Sequence, residues 1–401
     1  MRYFPKNNPD GGGGMKVCFF AQDSSISTGA SRSMVNLMCE IRKHGVDPIA
    51  IVRFRGTLEE ELQKNNIRYY ICDTVSLTDG VGENVSLSRK AAQHLKIIYN
   101  YATTFILSLK LRKENIDVVH INKVVGIGGA VLAKWLKVPY VWHIREFLME
   151  DYHRKFSLEK YAYKLINQSQ KVIAISKGVQ DTWEKRIQRD IVCIYNGIEL
   201  ADADWRPHCI DPTEIRILFA GTIMEGKRQM DAVKAVHILT ERGYNVHLLL
   251  IGECLSQEYQ DEIRKYIAGN CLEAKVEFQV FAPDLRSIRN GYSIGVLCSE
   301  KEGFGRVTVE TMEAGLLFIG SDSGGTSELV EDGFTGFLYP VGDVEVLADR
   351  IEFAVKHPKE VEEIQKRAYV YVRENFTIKR TAEKVAAVYG SIMDKNAGKN
   401  C

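Results

Sequence analysis

Short apolar segments alternate with amphipathic helical segments along almost the whole chain, and this alternation constrains the fold more than any other feature. One series of apolar segments begins at Lys16 and ends at Tyr195, and a second begins at Ile215 and ends at Tyr339. Strands that alternate with helices form parallel sheets covered by helices on both faces. The sequence therefore predicts an α/β protein with two Rossmann-like, doubly wound domains that face a central cleft.

The limits of the two series define the predicted domains. Residues 1–14 finish with a run of glycines and are expected to be a disordered leader. Residues 15–197 form the first domain and residues 214–376 the second. Between them, residues 198–213 contain two prolines and lack periodicity, which predicts a linker. Residues 377–395 form a last helix after both sheets are complete.

Each apolar segment predicts one strand. The predicted strands of the first domain are 16–21, 48–53, 67–72, 118–121, 141–144, 172–175 and 191–195. Those of the second domain are 215–220, 246–251, 276–280, 294–299, 317–320 and 336–339.

Composition excludes several classes of protein. The 53 basic and 52 acidic residues give a net charge of +1, so no overall field favours nucleic acid as a partner. The nine cysteines form no Cys-x-x-Cys pair, which predicts buried thiols in a reducing compartment. Neither a transmembrane-length apolar run nor a signal-peptide core is visible. We expect a cytoplasmic protein, with peripheral contact at the inner face of a membrane left open.

The segment from Glu302 to Glu310 contains the first candidate site. An apolar run precedes it, glycines stand at 303 and 305, and a helical pattern starts at Arg306. A strand, a glycine turn and a helix start direct backbone N–H groups at an anion. The two carboxylates repel phosphate, so they should face the hydroxyl groups of a ligand that contains both, such as a nucleotide sugar. The alternative is an ordinary solvated pair of glutamates.

The order Glu302-Gly303-Phe304-Gly305, with Glu310 closing the segment, resembles the donor site of retaining glycosyltransferases with the GT-B fold, above all glycosyltransferase family 4. The resemblance implies that Glu310 holds the ribose hydroxyls and that Glu302 orients the donor sugar. It also implies that the amides of 303–305 hold the diphosphate, and that the last helix crosses back onto the first domain.

A second matching segment follows the first strand of the second domain, Gly221-Thr222-Ile-Met-Glu-Gly-Lys227. In the family, a lysine at this point holds the donor pyrophosphate, which gives Lys227 that expected role. Thr222 stands where the family has an arginine, and Arg228 stands where it has a glycine. The sequence does not decide whether Arg228 supplies the positive charge that the family arginine would provide. For Lys227, the alternative to diphosphate binding is an ordinary surface lysine.

A third matching segment is Ser323-Gly324-Gly325-Thr326-Ser-Glu328. In the family this turn lies by the donor phosphates and sugar, so Gly324, Gly325 and Thr326 are expected donor-binding residues. The alternative is simple helix capping by Thr326.

Two positions of the first domain complete the candidate site. Gly29, in Thr28-Gly29-Ala30, stands where the family often has Gly-Gly-Ala in a loop that faces the donor. His143 ends a predicted strand, and the family often has a histidine there that contacts the donor sugar. A core or surface histidine without a ligand is an equally good interpretation of His143 from sequence alone.

No metal or other cofactor is expected. Asp202-Ala203-Asp204 resembles the Asp-x-Asp metal motif of GT-A transferases, but it falls in the predicted linker, so we interpret it as a solvated loop. Cysteine and histidine spacings match no metal site.

Residues 88–114 form a predicted helix with basic residues among aliphatic and aromatic ones. We expect a core-facing helix with a solvated face. The alternative is a helix that lies on an anionic membrane.

The resemblance implies a metal-independent, retaining transferase of the hexosyltransferase type. Its partners would be a nucleotide-sugar donor and a saccharide or lipid-linked acceptor, with no nucleic acid. Two alternatives remain: a nucleotide-sugar epimerase on the same fold, and a non-catalytic relative that binds nucleotide sugars.

Overall fold

A computed structural model describes residues 14–82, 86–202, 205–280 and 285–397. The chain divides into two compact units. The first unit runs to Gly197 and resumes at Ile378, and the second is Ile198–Thr377. The expected leader, apart from Gly14, lies outside the described residues.

The first unit is built on a parallel sheet. Its strands are β1 (Met15–Phe20), β2 (Val46–Val52), β3 (Arg68–Ile71), β5 (Val118–Ile121), β6 (Tyr140–Ile144), β8 (Lys171–Ala174) and β9 (Val192–Cys193), while β4 (Thr78–Gly80) and β7 (Arg154–Phe156) form a separate antiparallel pair. The strand order of the main sheet is β3-β2-β1-β5-β6-β8-β9. The order reverses beside β1, as in doubly wound folds.

Helices connect these strands. They are α1 (Gly29–Ile41), α2 (Thr57–Lys64), α3 (Leu87–Leu111), α4 (Ile127–Leu136), α5 (Glu159–Asn167) and α6 (Lys177–Ile187), with short 3-10 helices at Arg42–His44 and Arg112–Glu114. Polar side chains cap several helix starts, as when Ser176 accepts from the N–H of Val179. Gly45 ends the first 3-10 helix with a φ of 74°, which favours glycine.

The second unit has its own parallel sheet. Its strands are β10 (Ile215–Ala220), β11 (Val246–Ile251), β12 (Val276–Gln279), β13 (Ile294–Leu297), β14 (Leu317–Ser321) and β15 (Phe337–Tyr339), in the order β12-β11-β10-β13-β14-β15. Its helices are α7 (Gln229–Glu241), α8 (Gln257–Gly269), α9 (Leu285–Arg289), α10 (Arg306–Glu313), α11 (Thr326–Leu329), α12 (Val344–Lys356) and α13 (Pro358–Asn375), with a 3-10 helix at Glu225–Lys227.

The last helix, α14 (Ile378–Ala397), belongs to the first unit. Ala382, Val385 and Tyr389 are buried in the same apolar core as Val17 and Met34. The chain therefore returns to its first sheet after completing the second, as expected for the GT-B fold.

The structure confirms the two parallel sheets and differs from the sequence predictions in three details. The pair β4 and β7 was missed, because three-residue strands with mixed polarity carry no periodic signal. The expected linker 198–213 groups with the second unit, where the N–H of Ala201 donates to Glu313 Oε1 at 2.7 Å. Cys18 and Cys298 are buried as expected, but the free thiols Cys209, Cys254 and Cys271 are exposed.

No helix of the described segments is long and apolar enough to cross a bilayer.

Candidate active site

Three predicted segments of the second unit follow neighbouring strands. The segment at 221–227 follows β10, the segment at 300–305 follows β13, and the segment at 322–326 follows β14. These strands are adjacent and parallel, so the segments lie at one edge of the sheet. This edge is where open α/β sheets bind ligands.

Lys227 and Glu302 are in direct contact. The Lys227 ammonium donates to Glu302 Oε2 at 2.5 Å, and both side chains are largely buried. Ser299 Oγ donates to the same oxygen at 2.9 Å, and the N–H of Glu300 donates to the Gly226 carbonyl at 2.9 Å. The first two segments are therefore joined by charge and by backbone, although 75 residues separate Lys227 from Glu302.

The second and third segments interlock through glycines. The N–H of Gly325 donates to the Glu302 carbonyl at 2.7 Å. A Cβ atom at Gly324 would lie 2.4 Å from the Glu302 carbonyl oxygen, and one at Gly325 would lie 2.5 Å from the Phe304 carbonyl oxygen. Gly324 and Gly325 are thus needed for close backbone packing. Gly305, at a φ of 86°, is the N-cap residue that precedes α10.

The side chains of Thr326 and Phe304 are buried in these turns. Thr326 makes no side-chain cap, and its buried Oγ1 has no hydrogen-bond partner among the described residues. The ring of Phe304 is buried, with its centroid 6.1 Å from that of Phe376. Phe304 can therefore offer a ligand its backbone only, whereas Gly303 lies half-buried in the turn.

Glu310 lies between two arginines. Its Oε2 accepts from Arg289 Nη2 at 2.6 Å and its Oε1 accepts from Arg306 Nε at 2.5 Å. The side chain of Glu310 is 12% exposed, that of Arg289 is 6% exposed and that of Arg306 is 15% exposed, so the cluster is largely desolvated. Neither arginine was predicted from the sequence to belong to the site. The i, i+4 spacing of Arg306 and Glu310 could have identified one pair, but nothing local links Arg289 to Glu310.

Arg228 is engaged within the protein. It has a φ of 53°, and its guanidinium donates to both carboxylate oxygens of Asp231, at 2.7 and 3.2 Å. This hydrogen bonding with Asp231 raises the pKa of Arg228. The backbone carbonyl of Thr222 accepts from Gln229 Nε2 at 2.8 Å. Arg228 and Thr222 therefore shape the segment, while Lys227 alone of the three contacts Glu302.

In the first unit, the loop around Gly29 is held by polar contacts. Thr28 Oγ1 accepts from the N–H of Ser31 at 3.2 Å and so caps α1. Asp23 accepts from Ser31 Oγ at 2.9 Å and from Lys123 Nζ at 2.8 Å. A Cβ atom at Gly29 would meet open space. Thr28, which departs from the family pattern, thus has a capping role.

His143 is fully buried at the end of β6, in a chain of polar groups. Its Nδ1 lies 3.1 Å from His120 Nε2 and 3.4 Å from Arg145 Nη2. His120 Nδ1 lies 2.7 Å from the Tyr389 hydroxyl on α14. Arg145 is held by Asn122 and Asn196. The interpretation of His143 as a buried histidine is right, but one nitrogen, Nε2, has no partner in the described residues.

These contacts determine which nitrogens carry protons. Burial lowers the pKa of His120 to about 3 and lowers that of His143, so both rings are neutral. A guanidinium only donates, so Nδ1 of His143 is an acceptor and its proton is on Nε2. His120 Nε2–H then donates to His143, and the Tyr389 hydroxyl donates to His120. The result is an N–H donor at His143 Nε2.

Glu146 is a titratable group that the sequence analysis did not consider. Burial raises its pKa to about 7, and its Oε1 accepts from the N–H of Val124 at 2.8 Å. It lies two residues beyond β6, near Lys123 and Asp151.

Within residues 14–82, 86–202, 205–280 and 285–397, no cluster of three or more His, Cys, Asp or Glu side chains is arranged to hold a metal ion. Of the Asp-x-Asp segment, Asp202 is described, whereas Ala203 and Asp204 lie outside the described residues.

Two family models match the chain, one after the other. The model of glycosyltransferase family 4 matches residues 27–202, and the model of glycosyl transferases group 1 matches residues 202–371. The matches meet near the boundary between the two units.

Curated relatives and solved structures agree with these matches. N-acetyl-alpha-D-glucosaminyl L-malate synthase of Bacillus anthracis is 24% identical over 316 residues, 74% of this chain and 81% of that protein. The capsular polysaccharide biosynthesis glycosyltransferase CapM of Staphylococcus aureus is 25% identical, over 45% of this chain and 47% of its own length. Crystal structures of HepE from Anabaena, in complex with UDP and with UDP-glucose, cover 94% of this chain and 100% of their own, with TM-scores of 0.76 and 0.75 at 20% and 21% identity.

Proposed function

Because the chain belongs to glycosyltransferase family 4 and has the GT-B fold, we propose that it transfers a sugar from a nucleotide-sugar donor to a hydroxyl group of an acceptor. Transfer is proposed to retain the anomeric configuration and to need no metal ion. Relatives whose names include capsular polysaccharide and lipopolysaccharide core biosynthesis support a role in bacterial-type polysaccharide or glycolipid synthesis.

The observation that carries the proposal is the contact between Lys227 and Glu302 beside the interlocked glycine turns. An ammonium group attracts a diphosphate, and a carboxylate accepts hydrogen bonds from sugar hydroxyls. These two groups are adjacent here, as the diphosphate and the sugar are adjacent in a nucleotide sugar. Lys227 and the 303–305 amides would hold the diphosphate, and Glu302 would orient the sugar.

Glu310 would hold the ribose hydroxyls while keeping its two arginines. An ionised carboxylate offers about four lone-pair sites, and Arg289 and Arg306 use two of them. The arginines would fix the carboxylate before the ligand arrives, which lowers the entropy cost of binding.

His143 would contribute a hydrogen-bond donor rather than a base. Its neutral ring carries a proton on Nε2, which suits an oxygen of the donor sugar or phosphate. We assign it, with Lys227 and Glu302, to the catalytic group on the basis of the family resemblance.

The proposed reaction is a front-face displacement, as the resemblance implies. The acceptor oxygen bonds to the anomeric carbon on the face from which the phosphate departs, the bond between that carbon and the phosphate oxygen breaks, and the phosphate oxygen takes the acceptor proton. Lys227 would stabilise the negative charge that grows on the diphosphate.

The acceptor is proposed to be a saccharide or a lipid-linked saccharide bound by the first unit. UDP-sugars are the first donors to test, because HepE was crystallised with UDP and UDP-glucose.

The decisive test measures nucleoside diphosphate release from candidate nucleotide sugars without an acceptor. Slow release supports a transferase, an isomerised donor indicates an epimerase, and neither product indicates a binding protein. Lys227→Ala should lower kcat about a hundredfold, because one electrostatic contact to the leaving group is lost. Lys234→Ala is the matched control, since Lys234 lies on α7 with its ammonium 5.9 Å from the Tyr266 ring. An unchanged kcat for Lys227→Ala would contradict its assignment.

A further inference from the structure

The solvent-exposed face of α3 carries large apolar side chains, which most helices bury in a core. Leu95 and Ile98 are 66% and 63% exposed. The other large exposed apolar residues of the helix are Tyr99, Phe105, Ile106 and Leu109, and we call these six the α3 outer face. They fall on one side of the helix because separations of three, four or seven residues, which return to the same face, connect each of them to others in the set.

The opposite side of α3 is buried, and it combines polar residues with the apolar Leu107 and Leu111. Gln93 Nε2 donates to Asp79 Oδ2 at 2.7 Å, and Thr104 is fully buried. Asn100 accepts from the N–H of Val75 at 2.8 Å and donates to the Val75 carbonyl at 2.9 Å. Rolling the helix to bury Leu95 would break these hydrogen bonds and leave polar groups unsatisfied. The exposure of the outer face is therefore fixed by the fold. One side of α3 meets the core, as expected, but the exposed side is apolar.

The apolar surface extends beyond α3. Trp135, at the end of α4, is 41% exposed, and its ring centroid lies 4.9 Å from that of Phe105. Amphipathic aromatic rings favour the boundary between water and lipid.

Most charges around this surface are basic. The acidic neighbours are already paired: Asp73, which accepts from the Tyr99 hydroxyl at 3.0 Å, pairs with Arg53, and Asp79 pairs with Arg89. The sequence of α3 contains no aspartate or glutamate, although the whole chain has nearly equal numbers of acidic and basic residues. Exposed Arg89, Lys110, Arg112 and Lys113 lie on or just after α3, and exposed Lys134 and Lys137 flank Trp135. Basic side chains beside an apolar helical face are complementary to anionic lipid.

A second copy of the chain is a less suitable occupant. Two α3 helices would bring like charges together, because α3 itself contains no acidic residue. Helix pairs usually carry opposite charges beside the apolar seam. The apolar band also includes Tyr99, Ile106 and Trp135, which makes it wider than such a seam.

We propose that the α3 outer face and Trp135 form a docking surface for an anionic lipid bilayer. With 25 residues, the helix is about 37 Å long. It would lie in the headgroup region with its axis along the membrane plane, and the basic side chains would contact anionic headgroups. Membrane docking is a property separate from the proposed sugar transfer, and vesicle binding can be measured without any substrate.

The test is co-sedimentation of the full chain with vesicles of phosphatidylcholine alone or mixed equally with phosphatidylglycerol. We expect binding to the mixed vesicles and much weaker binding to neutral ones. Leu95→Gln should lower the partition coefficient about tenfold. Lys110→Gln and Lys113→Gln should each lower it about fivefold. Leu255→Gln is the matched control, since Leu255 is 67% exposed in the second unit, and it should bind like the wild type.

Three results would overturn the proposal. The first is no binding to mixed vesicles in about 0.1 M salt, where charges are screened beyond about 10 Å. The second is an equal loss for Leu95→Gln and Leu255→Gln. The third is a dimer in solution that Leu95→Gln dissociates, which would show that a second copy covers the face. Donor hydrolysis by Leu95→Gln should match that of the wild type, so failure here is distinguishable from failure of the proposed function.

Discussion

Replacing Glu310 with glutamine should destabilise the second unit as well as weaken donor binding. Glu310 accepts from Arg289 at 2.6 Å and from Arg306 at 2.5 Å, in a largely buried cluster. Glutamine keeps the shape but removes the charge, and its NH₂ group must face one of the two guanidinium groups. The glutamine NH₂ then faces a guanidinium N–H, so two hydrogen-bond donors oppose each other. Arg289 is also left buried without a counter-ion.

The expected cost follows from burial. Breaking a buried ion pair from one side costs about 3–5 kcal/mol, because a charge stays desolvated. Arg306 is 15% exposed and can turn partly toward water, so we expect about 3 kcal/mol. Adding Arg289→Met removes the stranded charge, so the double variant should recover part of this loss and give a clear coupling energy.

Urea unfolding of each variant measures these free energies. Glu352→Gln is the matched control, because Glu352 also accepts from two basic side chains, Arg242 and Lys356, but on the surface. Such exposed pairs contribute about 1 kcal/mol or less. An unfolding free energy for Glu310→Gln equal to that of Glu352→Gln would refute the buried ion-pair argument.

Ligand binding is measured separately, as the rise in melting temperature with UDP. A ligand that binds only the folded state stabilises it by mass action. We expect Glu310→Gln to reduce this rise and Glu352→Gln to preserve it. A wild-type rise in Glu310→Gln would refute the ribose assignment, whatever its effect on stability.

Three further predictions follow from other parts of the molecule. Turnover should persist in EDTA at close to the full rate, and its loss in EDTA with recovery on adding magnesium or manganese would contradict metal-independent transfer. Tyr389→Phe should lower the unfolding free energy by about 1–3 kcal/mol, because His120 Nδ1 loses its buried donor at 2.7 Å. Its turnover should also fall, because the hydroxyl of Tyr389 sets the tautomers of His120 and His143. Unchanged stability and turnover would disprove the proton arrangement. The free energy of unfolding of the wild type should fall as the pH rises from 4.5 to about 7, because in that range folded Glu146 keeps a proton that the unfolded chain releases. Glutamine does not titrate, so Glu146→Gln should abolish this fall. The gain of this variant over the wild type should reach about 3 kcal/mol near pH 8, and unfolding curves with the same pH dependence for both proteins would exclude the raised pKa.

Local patterns predicted the architecture and the segments of the candidate site. The apolar segments gave the strands of both sheets, because a buried parallel strand needs an unbroken apolar run. The glycine turns before α10 and α11 and the spacing of Glu302 and Glu310 were also visible, because each is a property of consecutive residues.

Pairings between distant side chains were not visible in the same way. Arg289 and Glu310 meet across 21 positions, Lys227 and Glu302 across 75, and His120 and Tyr389 across 269. Residues at such separations have no local geometry in common, so only the packing of their elements brings them together.

The helix α3 separates the two kinds of information clearly. Its sequence determined that one side is apolar and that the other combines polar residues with Leu107 and Leu111, because a period of 3.6 residues sorts side chains by face. The sequence did not determine which side meets the core. That choice depended on Asp79 and the backbone of Val75, whose hydrogen bonds with Gln93 and Asn100 hold the mixed side inward.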